Sequence, residues 1–228
     1  MAFRNKTPSF RHEGHMFFIY NHKKKTEEDD PKDAILYFYP RSVSVDDQVA
    51  LVGGIIGLAD FCQEFLPECI PSIVKLAGHN FALLQHEEYI IGLADSPDVP
   101  DRFLTSHMNF VWSTFMFYQG SLESLRERVC DNNFLKELSR IWDMYLPLCQ
   151  IHGDILSQAF HVLPYVQLHK CQGSLFLHAS HILQRSLRHK GVIAGALFNK
   201  NKVLCSQLSN TLTRQLLLLM SPSQVRTV

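Results

Sequence analysis

Residues 42–66 read SVSVDDQVALVGGIIGLADFCQEFL, and the fold turns on how that stretch is covered. Its apolar residues recur every three or four positions, which is the period of a helix and not of a strand. Val45, Val49, Val52, Ile56 and Ala59 make one stripe. Leu51, Gly54, Leu58, Phe61 and Phe65 make a second on roughly the opposite side, with only Asp46, Asp60 and Glu64 as a polar strip between them. A helix covering one face of a domain needs one apolar stripe; a helix apolar on most sides is covered on most sides. Ser44 and Asp47 have capping-box spacing, with Asp in place of the longer Glu. Asp46 and Asp47 also suit the positive end of the helix dipole. Pro67 and Pro71 close the helix.

Upstream, Met16–Tyr20 and Ala34–Tyr39 are short aromatic and aliphatic runs with strand composition, the second stopped by Pro40. The polar segment HKKKTEEDDPKD between them is a solvated hairpin tip, with weak contact to acidic lipid as the alternative. Downstream, Ser72–Leu76, Asn80–Gln85 and Tyr89–Ala94 are separated by tight turns, the pattern of an antiparallel meander. Asp101–Tyr118 is helical, and a further helical stretch over 121–163 breaks near 131–133 and bends at Pro147. Two strands, a helix, three strands and then helices imply an α+β domain over 15–165. Its five-stranded antiparallel sheet carries one helix on one face and two or more on the other. Ser72–Leu76 is then an edge strand, and nothing in the domain is left to cover the outer stripe of the 44–66 helix.

The order restarts near the end. A connecting helix fills 166–190, and Val192–Phe198 and Val203–Leu208 form a hairpin. Ser209 or Asn210 caps a last helix, Leu212–Met220. Residues 191–220 read as the opening of a second such unit, belonging to a longer product or lying on another surface, because a lone hairpin is marginal in water. Residues 1–14 and 221–228 are tails.

Lys plus Arg and Asp plus Glu number 22 each with no unopposed basic block, which argues against a nucleic-acid partner. The opening residues lack an apolar signal core and no run reaches the ~18 residues of a membrane span, so a cytoplasmic protein is expected. Six cysteines without a CxxC pair point to reduced, mostly buried thiols. Gly53, Gly54 and Gly57 lack P-loop or dinucleotide spacing. Mid-helix glycines cost ~0.5–1 kcal/mol each, and close approach of another backbone is the favoured reason for them. His178 and His181, with His161, His169 and His189 nearby, have no zinc-ligand pattern, so no metal or cofactor is expected. His107 reads as a hydrogen-bonded core histidine. No GxSxG or activated-cysteine context marks a catalytic residue. The chemistry on offer is that of surfaces.

ILYFYP before the long helix, the meander with LADSPDVPDRFL and the helix ending in FYQG resemble the longin proteins of the Hermansky–Pudlak type 4 family. The tail VIAGALFNKNKVLCSQLSNTL resembles the start of that family's second longin domain. The Ccz subunit of the Mon–Ccz exchange factor is a more distant relative. The resemblance implies a non-enzymatic subunit of a guanine-nucleotide exchange factor for Rab GTPases, paired with the Hermansky–Pudlak type 1 protein. It implies vesicle trafficking and biogenesis of lysosome-related organelles such as pigment granules, with recruitment from cytoplasm to endosomal or lysosome-related membranes. A longin scaffold or tether that binds a small GTPase or sister longins without exchange is the alternative. The implied interface is the helix face Leu51, Gly54, Leu58, Phe61 and Phe65 beside the edge strand Ser72, Ile73, Val74, Lys75 and Leu76.

Overall fold

The computed structural model describes residues 15–24, 30–66, 70–129, 131–151 and 163–219. They fall into two compact units, the first ending at Trp142 and the second beginning at Asp143.

In the first unit, β1 (Met16–Asn21), β2 (Ile35–Tyr39), β3 (Ile73–Lys75), β4 (Asn80–His86) and β5 (Tyr89–Asp95) form one sheet in the order β2-β1-β5-β4-β3. Every pairing is antiparallel. The expected α+β sheet, with β3 at its edge, is what forms. Central strands β1 and β5 are buried along almost their whole length, so MFFIYN and YIIGLAD show no apolar–polar alternation.

Helix α1 (Val45–Phe65) covers one face, with Val52, Ile55 and Ile56 packed among Phe18, Phe38 and Phe81. Each such side chain contributes ~1.5–3 kcal/mol on burial. The opposite face carries α2 (Asp101–Gln119), followed by α3 (Leu122–Val129) and the part of α4 (Asp131–Ile151) up to Trp142. There Trp142 lies 4.4 Å from Phe17 and stacks on Phe115, with centroids 5.0 Å apart and planes 12° apart. Ser44 caps α1 by accepting the Asp47 N–H at 3.3 Å. The Asp47 carboxylate, one methylene shorter than Glu, accepts the Ser44 hydroxyl at 2.7 Å.

The orientation of α1 differs from the two-stripe expectation. Its buried residues are Leu51, Val52, Ile55, Ile56 and Ala59, a single arc that takes Val52, Ile56 and Ala59 from the first stripe, Leu51 from the second and Ile55 from between them. Leu51 is therefore a core residue, only 9% exposed, and not part of an uncovered face. Val45, expected in the core stripe, is exposed at the first turn. Successive residues i and i+4 share a face, so Leu51 and Ile55 go under together once the sheet chooses its arc.

The second unit is built on β6 (Ala196–Asn199) and β7 (Lys202–Ser206), an antiparallel pair shorter than the expected hairpin. Helix α5 (Gly173–Ser186) packs Ala179 and Leu183 against Cys205. Helix α6 (Asn210–Leu219) begins at Ser209, whose hydroxyl accepts the Leu212 N–H at 3.3 Å, and Leu217 packs with Val203 and Leu163. Residues 164–166 run beside β7 through a bridge between Tyr165 and Val203. Expected features at 1–14, 25–29, 67–69, 152–162 and 220–228 lie outside the described residues.

Candidate functional site

On α1, the arc next to the buried one turns Leu58, Phe61 and Phe65 outward, 43%, 56% and 69% exposed. Phe61 and Phe65 are one helical turn apart, and their rings meet edge to face at 5.0 Å. Gly53, Gly54 and Gly57 also face outward, and a Cβ added at any of them would meet nothing within 4 Å. A backbone with no side chain and no neighbour can be approached closely from outside. The strip beyond is polar. Asp60 bonds His22 Nε2 at 2.8 Å, which ties the turn after β1 to α1.

Beside this face runs the open edge of the sheet. The Leu83 N–H donates to Ser72 C=O at 3.0 Å, the Leu76 N–H donates to His79 C=O at 2.9 Å, and Val74 stands opposite Phe81. An antiparallel ladder bonds alternate residues, so Ser72, Val74 and Leu76 direct their main chains at β4. Ile73 and Lys75 direct theirs away, and no described strand lies on that side. The side chains alternate too. Val74 joins the core under α1, while Lys75 lies on the α2 face with its Nζ 2.8 Å from Asp101 Oδ2.

Between α1 and β3 lies an open apolar hollow of about 280 Å³. Its α1 wall is Ala50, Leu51, Gly54, Ile55 and Leu58; its β3 wall is Val74 and Leu76. All ten residues expected at the interface, Leu51, Gly54, Leu58, Phe61, Phe65 and Ser72 through Leu76, thus lie on α1 or the β3 segment. Leu51 differs in role, lining the hollow while packed in the core. Ala50 and Ile55 were missed because neither belongs to a stripe; only the sheet edge brings them to this place.

Among the described residues no three His, Cys, Asp or Glu side chains converge as metal ligands would. Of the described cysteines, Cys205 is buried but Cys171 is exposed and Cys62 half-buried, so the expectation of mostly buried thiols does not hold for them. One pair of shifted groups lies away from this face, at the start of β1. His15 Nδ1 is 3.0 Å from Asp95 Oδ2, and the His15 ring meets the buried His107 ring edge-on at 6.2 Å. The hydrogen bond to Asp95 raises the His15 pKa above its ordinary value, against the opposing effect of burial. Burial pushes Asp95 upward, but the bonds from His15 and the Ser96 N–H outweigh it and hold the carboxyl below its ordinary value.

Comparison with known proteins covers this surface. Residues 15–120 match the family described as the first longin domain of INTU, CCZ1 and HPS4. Over 203 residues the chain is 29% identical to BLOC-3 complex member HPS4 of Mus musculus, covering 89% of this chain and 30% of that protein. Over 173 residues it is 23% identical to the vacuolar fusion protein CCZ1 homolog of Dictyostelium discoideum, covering 68% of this chain and 39% of that one. The chain thus spans well under half the length of either relative.

Proposed function

We propose, from the premise that residues 15–120 belong to the family of first longin domains of INTU, CCZ1 and HPS4, that this chain is a subunit of a heterodimeric Rab exchange factor. The observation that carries the reading is the uncovered face of α1, Leu58, Phe61 and Phe65, lying beside the open edge of β3. The Hermansky–Pudlak type 1 protein is the proposed partner. The substrates are Rab GTPases of endosomes and lysosome-related organelles such as pigment granules. The heterodimer works from the cytoplasm at the surface of those membranes.

Such exchange needs no nucleophile or general base. A surface that binds the nucleotide-free form of a GTPase more tightly than the loaded form shifts the population toward release, and only that differential affinity counts. Burying Leu58, Phe61 and Phe65 against partner and GTPase supplies ~1.5–3 kcal/mol each before ordering costs. The test is release of a fluorescent guanine nucleotide from lysosome-related Rabs by the chain together with the type 1 partner. Acceleration is expected. Saturable binding with unchanged release would replace this reading with a longin scaffold or tether, and absence of both would remove it.

A further inference from the structure

Away from α1 and β3, the β4–β5 turn meets the start of α3. His86 pairs with Tyr89, which leaves Glu87 and Glu88 as a two-residue loop. Glu87 stands at φ 55°, left-handed backbone that such loops ordinarily give to glycine or asparagine. Its neighbour is tied from the side of β1. The Glu88 carbonyl accepts the His22 N–H at 2.8 Å, and the Glu88 carboxylate holds Lys23 Nζ at 2.7 Å. A glutamate kept in left-handed backbone is explained by what its side chain reaches, and that is a second carboxyl, Glu123 of α3. Two ionised carboxylates in contact repel, whereas a pair holding one proton is joined by it. We infer that the β4–β5 turn is clasped to the first turn of α3 by a single proton shared between the Glu87 and Glu123 carboxyls. The hairpin tip is fastened while that proton is present and released when it leaves.

The surroundings decide which carboxyl carries the proton. Glu123 lies in the first turn of α3, where the helix dipole favours negative charge, and Ser121 caps that end by accepting the Ser124 N–H at 3.1 Å. Glu123 Oε2 is sealed from solvent, and among the described residues no N–H or O–H reaches it in bonding geometry. A proton carried by Glu87 fills that place. The Tyr89 hydroxyl, also sealed, adjoins both Glu88 and Glu123 and has only one proton to give. Bonding to Glu123 raises Glu87 above its ordinary value. Burial pushes Glu123 upward, but bonds to its own N–H, Glu87, Tyr89 and Ser121 outweigh it and hold it below its ordinary value. Glu87 is therefore the donor and Glu123 the acceptor. The other charged or titratable groups facing the pair are Lys23 after β1, His86 and Glu88 of the hairpin, and Arg126 of α3. The clasp holds around the ordinary carboxyl value of 4.5 and opens as pH rises through the raised value of Glu87. It loses its acceptor as pH falls through the lowered value of Glu123.

The test follows the side-chain carboxyl carbons of Glu87 and Glu123 by NMR on the whole chain, with melting temperatures measured alongside. The pair should titrate in two steps, one above and one below 4.5, each step visible at both carbons. Glu87→Gln supplies a permanent N–H donor, so the upper step should vanish while Glu123 keeps its lowered value. Glu87→Ala supplies no donor, and Glu123 should return toward its ordinary value. At neutral pH the Gln variant should melt a few degrees above the unaltered chain, and at pH 4.5 no higher. Carboxyls that each titrate once at the ordinary value, a Gln variant no more stable at neutral pH, or a Glu123 that responds alike to Gln and Ala would each overturn the clasp. So would two steps both below 4.5, since a bound cation and not a proton would then join the carboxylates. The clasp lies outside the α1–β3 surface, so it and the proposed function can each fail alone.

Discussion

Phe18 and Gly92 stand opposite each other across the β1–β5 ladder, and the Phe18 ring occupies the volume that a side chain at 92 would need. A Cβ there would lie 2.8 Å from Phe18 Cδ1 and closer still to Cε1 and Cζ. Phe18 is wholly buried beneath α1, so moving its ring aside disturbs the packed core. Gly92→Ala is expected to destabilise the domain by about 1–3 kcal/mol, the usual cost of overpacking, as a lowered denaturant midpoint with unchanged slope. A neutral outcome would mean the ring has another rotamer available.

The aromatic stack on the opposite face should be worth more. Trp142 is fully buried and touches both Phe17 of the sheet and Phe115 of α2. Trp142→Ala should cost about 3–5 kcal/mol, measured by chemical unfolding, because the cavity opens between sheet and helix layers that cannot collapse onto each other.

Gly53→Ala and Gly57→Ala should move stability and association in opposite directions. Both positions are mid-helix and open, so each alanine should raise stability by about 0.5–1 kcal/mol. The same methyl groups should weaken binding to the heterodimer partner if its backbone lies against the strip. Calorimetry and a pull-down titration on the same variants measure the two effects; stabilisation with unaltered association would show that no partner approaches there.

Leu58→Asp separates surface from core in one substitution. The residue is substantially exposed, so stability should change by no more than ~0.5 kcal/mol. Partner association, followed by size-exclusion chromatography, should be lost. Leu51→Asp should instead unfold the domain, since Leu51 is buried on the core side of the same helix.

The His15–Asp95 pair gives a pH signature with two edges. The raised His15 contributes stability that is fully present below its ordinary value of 6.5 and lost as pH rises through its higher folded value. The lowered Asp95 contributes stability present above its ordinary value of 3.8 and lost as pH falls through its lower folded value. The pair therefore contributes most between those two ordinary values. His15→Gln should lower the melting temperature more near about pH 6 than under mildly alkaline conditions. An equal deficit at both would show that the ring acts by packing alone.

The strand order of the domain was legible because each strand carries its own punctuation: Pro40 after ILYFY, tight turns around residues 77–79 and 87–88, and DSPDVP before α2. The edge position of β3 followed from that order. The burial arc of α1 was not legible, because Leu51, Ile55 and Leu58 are equally apolar and only the sheet decides which two go under. The hollow was hidden for the same reason, since its walls come from residues twenty positions apart in the chain. His15 gave no periodic signal at all. Its partner Asp95 is reached only through the register that sets Met16 beside Ala94.

The brevity of β3 limits how firmly its edge can hold a joining strand. Its two outward-facing residues present one N–H and one C=O apiece, so a joining strand gains at most four main-chain bonds. At a net ~0.5–1.5 kcal/mol each, these give about 2–6 kcal/mol before any ordering cost. Millimolar affinity already requires about 4 kcal/mol. Once association and ordering costs are subtracted, main-chain bonding at this edge alone supports only weak binding, so a lasting complex needs further contact such as the helix face. A partner that engages the β3 edge and the helix face together is therefore expected to bind far more tightly than one offering either surface alone.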